Sequence, residues 1–174
     1  MAQTAARRPP VPLPSKQPAG EFLGTAVDRD RRRGRGTLSN ASGRYEPTAR
    51  ISFDDGWRSI EELPAFETTV TEEKARKIIT PNDSPDIGFD RSINPYRGCE
   101  HGCVYCFARP THSYLNLSPG LDFETRIFAK VNAAERLRET FNKPAYRAKL
   151  LNIGAATDAY QPAERRLRIT RSVI

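Results

Sequence analysis

Cys99-Glu100-His101-Gly102-Cys103-Val104-Tyr105-Cys106 is the stretch on which the reading of this chain turns. It gathers all three cysteines of a 174-residue protein into eight positions, in a C-x3-C-x2-C arrangement. Gly98 and Gly102 leave the backbone free to bend closely around whatever the thiols meet. Three thiolates on one loop can close on a single polynuclear metal centre. The absent fourth cysteine would leave one iron of a four-iron cluster open to a ligand, so a reactive site is the first expectation. Zinc is the competing metal, with His101 joining Cys99, Cys103 and Cys106 as a Cys3His set. Packing four ligands from one short loop tetrahedrally around one ion strains the backbone, so the spacing favours iron and sulfur over zinc. Reactive or inert thiols are the third reading.

The composition limits what surrounds this loop. Hydrophobic residues make up 37% of the chain and the mean hydropathy is -0.64, which predicts that part of it does not fold. The net charge is +7. Nearly all of the excess falls in the first 50 residues, so a globally basic nucleic-acid-binding fold is not indicated. No stretch approaches a membrane span, and the proline- and arginine-rich N-terminus has no apolar run of the kind a secretory signal needs. A cytoplasmic, reducing setting follows, where clustered cysteines usually mean metal or redox chemistry.

Residues 1–50 read as a disordered basic tail, with five prolines in the first 20 positions and the run Arg29-Asp30-Arg31-Arg32-Arg33-Gly34-Arg35-Gly36. That run is read as a solvated charge run, with a phosphate-binding arm as the alternative. Residues 51–86 read as an approach segment packing on the core, docked through Asp54-Asp55-Gly56-Trp57. A helix or an extended segment is open for residues 69–79. Residues 87–174 read as α/β. Residues 87–95 are extended, and a helical start follows Cys106. A strand of period two covers residues 123–131, with Glu124 and Arg126 on its polar face. Asn132 caps a helix ended by Pro144, residues 149–153 form a short buried strand, and a last helix starts near Pro162. This order predicts parallel strands with helical crossovers, and it puts the cysteine loop and the turn after Gly154 on one rim.

The wider context is similar to a known superfamily. C-x3-C-x2-C with an aromatic, Tyr105, before the third cysteine resembles the signature of radical S-adenosylmethionine enzymes. Ser92-Ile93-Asn94-Pro95-Tyr96-Arg97-Gly98 before it and Phe107-Ala108-Arg109-Pro110-Thr111-His112 after it look like the spore photoproduct lyase-like, or DNA repair photolyase-like, branch. Asn82-Asp83-Ser84-Pro85-Asp86-Ile87 and Thr157-Asp158-Ala159-Tyr160-Gln161-Pro162-Ala163-Glu164 resemble further motifs of that branch, so the likeness covers about residues 34–174.

The resemblance implies a 4Fe-4S cluster on Cys99, Cys103 and Cys106, with S-adenosyl-L-methionine on its open iron. Tyr105 would lie near the adenine, and Thr157 and Asp158 near the methionine amino end. It implies reductive cleavage to a 5'-deoxyadenosyl radical, an electron donor for the cluster as partner, and DNA as a candidate substrate. Asp158 as a helix cap, and surface or core positions for His101 and His112, are the structural alternatives. The implied fold is the N-terminal part of a partial (β/α)6 radical SAM barrel. Six βα units need about 180 residues, and the residues from 92 onward cover about half of that. The expectation is therefore a truncated chain, with a cluster-binding but inactive fragment, or a zinc-binding interaction or nucleic-acid-binding protein, as the alternatives.

Overall fold

The computed structural model describes residues 22–24, 26–49, 52–53 and 65–174. Of the tail expected to be disordered over residues 1–50, residues 1–21, 25 and 50 lie outside the described residues, as does the docking turn at Trp57. In chain order the strands are β1 (Phe22–Gly24), β2 (Ser52–Phe53), β3 (Thr69–Glu73), β4 (Ile79–Pro81), β5 (Arg91–Ile93) and β6 (Tyr96–Arg97). A 3-10 helix (Arg109–Leu115), α1 (Leu121–Thr125), β7 (Arg126–Lys130), α2 (Ala133–Phe141), β8 (Asn152–Ile153), α3 (Glu164–Leu167) and α4 (Ile169–Val173) follow.

These strands do not begin a barrel. β1 and β2 form an antiparallel ribbon, and the remaining six divide into two open three-stranded sheets, ordered β3-β7-β6 and β4-β5-β8. Each is mixed. β3 pairs in parallel with β7 from Thr69↔Arg126 to Glu73↔Lys130, while β6 lies antiparallel on the other side. β5 is parallel to β8 and antiparallel to β4. A (β/α)6 barrel needs consecutive strands joined side by side into one curling parallel sheet. Here the chain changes sheet between β5 and β6, and neither sheet closes.

Pro95 is a physical reason for that change. It has no N–H to donate, so the strand that residues 87–95 were expected to form ends at Ile93. The carbonyl of Pro95 accepts the Lys130 N–H (3.0 Å), turning the chain towards β7, against which Tyr96 pairs with Ala129. The sheets meet in a shared core of Ile78, Ile93, Tyr96, Ile127 and Ala129, covered by Ala133 and Leu137 of α2, by Ala163, and by Ile169 of α4. Ile127 is fully buried, and truncation leaves a cavity that its neighbours on two sheets cannot both fill. Ile127→Ala is expected to lower the unfolding free energy by about 2–5 kcal/mol in denaturant titration.

Three elements differ from expectation. The short buried strand expected over residues 149–153 is only β8, and Leu150 and Ile153 are exposed. Residues 121–125 are helical, with the Thr125 hydroxyl donating to the Leu121 carbonyl (2.9 Å), and the strand starts only at Arg126. The expected last helix is two short ones, broken at Arg168, which lies in the left-handed region at φ 51°. Glu164 anchors the break: its carboxylate accepts the N–H groups of Thr170 and Arg171 (3.0 Å each) and the buried Tyr96 hydroxyl.

Candidate thiol loop and its frame

The loop leaves β6 at Gly98, whose φ of 79° suits glycine, and whose missing side chain admits the His112 ring and the Phe123 carbonyl. A Cβ there would stand 2.9 Å from both. Gly102, at φ 63°, meets the Gly36 nitrogen and the Glu124 carboxylate in the same way. Between and after these bends the chain makes one hydrogen-bonded turn, in which the Cys106 N–H donates to the Cys103 carbonyl (3.2 Å) with Val104 and Tyr105 at its centre.

Two buried polar groups hold the loop in shape. From one side, Arg109 donates to the Cys103 carbonyl through Nε (3.2 Å) and Nη2 (2.9 Å), and to the carbonyls of Pro119 and Gly120 through Nη1. Its Nη2 also pairs with Glu124 at 2.5 Å. Glu124 is fully buried, and its second oxygen accepts the Gly36 N–H (3.0 Å). From the other side, Gln161, also fully buried, donates to the Gly98 carbonyl (3.3 Å) and accepts the Glu100 N–H (3.3 Å). The Thr157 hydroxyl donates to the same Gly98 carbonyl (2.7 Å). Asn94 ties in the segment before Thr157 by accepting the Ala156 N–H (2.7 Å). Burying so many polar groups costs desolvation that only near-complete pairing offsets.

The site residues expected from the sequence fall into distinct settings. Cys99 is buried with Ala108 and Phe123, and Cys106 packs against that cluster, while Cys103 is not part of it. Burial pushes the Cys99 thiol pKa up, against the backbone N–H groups of His101 and Asp158, which pull it down. Tyr105 is exposed. Thr157 is buried against Gly98. Asp158 caps no helix: one of its oxygens accepts the Tyr160 N–H (2.7 Å) and the other lies 3.3 Å from His101 Nε2. That pair is exposed on both sides and adds little stability.

The expected cluster is not supported. Among the described residues no group of three or more His, Cys, Asp or Glu side chains is placed to hold a metal ion. Cys99 and Cys106 line an apolar cluster from which Cys103 is absent. Without such a group the 4Fe-4S cluster, the S-adenosyl-L-methionine on its open iron, the radical chemistry and the zinc alternative have no site among the described residues. An electron donor for the cluster loses its basis with them. DNA as substrate rested on the resemblance alone, and two arginines of the basic run are engaged with the body. Arg35 donates to the Glu124 carbonyl (2.9 Å) and the Thr68 hydroxyl (2.8 Å), and Arg31 stacks over Phe66 at 4.2 Å.

No family model matches the chain. Two mycobacterial relatives and one archaeal relative each bear the name uncharacterized protein. One in Mycobacterium tuberculosis and one in Mycobacterium bovis are each 45% identical over 88 residues, which is 51% of this chain and 26% of theirs. An uncharacterized protein of Methanocaldococcus jannaschii is 29% identical over 101 residues, 58% of this chain and 35% of its own. The match thus spans about a quarter to a third of these relatives' length. No solved structure matches. Among the described residues no helix is long and apolar enough to cross a membrane.

The residues that sequence reasoning missed are Arg109, Glu124 and Gln161; for His112 the structure takes the core position named as its alternative. His112 is completely buried beside Gly98, with its ring edge-on to Phe123 at 5.2 Å. Its Nε2 lies 2.9 Å from the Arg126 carbonyl, which only accepts, so Nε2 carries the proton and Nδ1 is a buried acceptor without a partner. Burial lowers its pKa from the usual 6.5, helped by the charges of Arg126 and Arg97 and opposed by the Arg126 carbonyl and Asp122. The folded state therefore binds fewer protons than the unfolded one as pH falls through 6.5. This contribution to stability is intact at neutral pH and is lost below 6.5, at up to about 1.4 kcal/mol per pH unit. His112→Phe is expected to flatten that part of the stability profile between neutral pH and pH 5, as followed by urea titration at each pH.

Proposed function

We propose that this loop is a thiol–disulfide exchange site in which Cys103 and Cys106 cycle between a dithiol and a disulfide. The observation that carries it is the hydrogen-bonded turn between the two residues. Such a turn keeps its end Cα atoms within about 7 Å, and a disulfide spans roughly 4.4–6.8 Å. The C-x-x-C spacing is the one redox dithiols use.

The chemistry needs a disulfide as co-reactant. Cys103 lies outside the buried cluster, and its thiolate attacks one sulfur of that disulfide to form a mixed disulfide, expelling the other sulfur as a thiolate. The Cys106 thiolate then attacks the Cys103 sulfur, expels the second thiolate and closes the Cys103–Cys106 bond. The two protons lost by the cysteines pass to the two expelled thiolates. The incoming disulfide gains two electrons and the loop loses two. Cys99 stays protonated behind them, consistent with the upward pull of burial on its thiol. Thr157 holds the loop entry, Asp158 pairs with His101, and Tyr105 occupies the centre of the turn. A cytoplasmic setting suits such a pair, since its reducing poise would return it to the dithiol.

The test is thiol counting after oxidation. The reduced chain is incubated with oxidised glutathione and its free thiols are then alkylated. The expected product has two of its three thiols blocked and retains no glutathione. Three alkylatable thiols, a persistent glutathione adduct, or a stoichiometric metal bound to the thiols as isolated would overturn the proposal.

A further inference from the structure

The side chains around the turn point to what kind of disulfide it takes, and this inference rests on the exchange reading above. Val104, Tyr105 and Phe107 are 72%, 86% and 80% exposed, although each is a large apolar residue. Single exposed apolar residues are ordinary, but three among four consecutive positions are not. Their place is specific: Val104 and Tyr105 lie between the two thiols, and Phe107 follows the second. A disulfide reaching Cys103 or Cys106 approaches this short turn, where Tyr105 and Phe107 are the exposed aromatic groups next in sequence to the second thiol. The loop is fixed from behind by Arg109, Glu124, Thr157 and Gln161, so little ordering cost remains on binding.

Charge argues in the same direction. Arg109, the cation built into the loop, directs its guanidinium to the carbonyls of Cys103, Pro119 and Gly120 and to Glu124. The loop and its facing turn carry the carboxylates of Glu100 and Asp158, and His101 is paired with the latter. A small disulfide bearing carboxylates meets like charge there. We infer that the partner is a polypeptide disulfide flanked by apolar side chains, which rests on the exposure of Val104, Tyr105 and Phe107.

The experiment compares two probes on the full chain: oxidised glutathione, and a synthetic peptide disulfide with leucine and phenylalanine beside each cysteine. The quantity read is the ratio of the two second-order rates, measured for the unsubstituted chain and for the Tyr105→Ser, Phe107→Ser double variant. The unsubstituted chain is expected to favour the peptide, and the double variant to lose about tenfold in that ratio, the scale of one aromatic anchor. Circular dichroism checks that the variant keeps its fold, which the exposure of both side chains leads us to expect. A ratio near one in the unsubstituted chain, or a ratio unmoved by the double substitution, would overturn the inference while leaving the exchange reading standing. No reaction with either probe would remove both.

Discussion

Glu124→Ala is expected to destabilise the fold by about 3–5 kcal/mol and to release the cysteine loop, because it leaves the Arg109 guanidinium buried without its counter-charge. Glu124 is fully buried and Arg109 is only 13% exposed, so water cannot readily replace the lost partner. The same substitution strands the Gly36 N–H, whose acceptor is the second carboxylate oxygen. It also loosens the guanidinium that fixes the Cys103 carbonyl from two nitrogens. Two readouts separate the effects. Denaturant titration gives the global loss, and hydrogen exchange at Cys106 reports the turn, whose N–H is bonded to the Cys103 carbonyl. The paired substitution Glu124→Leu with Arg109→Met should cost less than Glu124→Ala alone, since removing both charges relieves the penalty. A single variant with unchanged stability would mean that the pair does not hold the loop.

The second large effect concerns the thiols one at a time. Cys103→Ser and Cys106→Ser should each abolish the intrachain disulfide, but in different ways. Without Cys106 the mixed disulfide on Cys103 has no resolving thiol in the turn, so an adduct with the oxidant accumulates. Without Cys103 the first attack is lost, and Cys106, which packs against the buried cluster, should react slowly. Cys99→Ser should leave the linkage in place, because that thiol lies behind the turn and burial keeps it protonated. It should instead cost stability, since a hydroxyl replaces a buried thiol packed on Phe123. Intact-mass spectra of the oxidised variants distinguish the three outcomes. Equal reactivity in all three would contradict the assigned roles.

How much of this was legible beforehand differs from residue to residue. The cysteine loop itself and the turn that faces it were marked by the sequence, and Gln161 stood unremarked within that second stretch. Glu124 was assigned to the solvent face of a strand, because the apolar alternation from Phe123 to Val131 runs without a break across the boundary at Arg126. The first residues of that run are helical, which turns Glu124 inward onto Arg109. Period-two reasoning cannot detect a junction where both patterns place apolar groups at the same positions. Arg35, read as part of a charge run, reaches the Glu124 carbonyl 89 positions away. No local pattern encodes such a pairing. The three clustered cysteines suggested a metal centre because spacing reports proximity along the chain, whereas ligation requires side chains to converge. Pro95 had a visible consequence, the end of a strand, but not the change of sheet that followed from it.

The central claim is that Cys103 and Cys106 form one redox unit. It is tested most directly by mapping the disulfide after the full chain is equilibrated across a series of reduced-to-oxidised glutathione ratios and digested without reduction. A single Cys103–Cys106 linkage, appearing with the loss of about 2 Da and fully reversed by excess reduced glutathione, is the predicted result. A Cys99–Cys106 linkage, crosslinks only between chains, or no linkage at any ratio would contradict it.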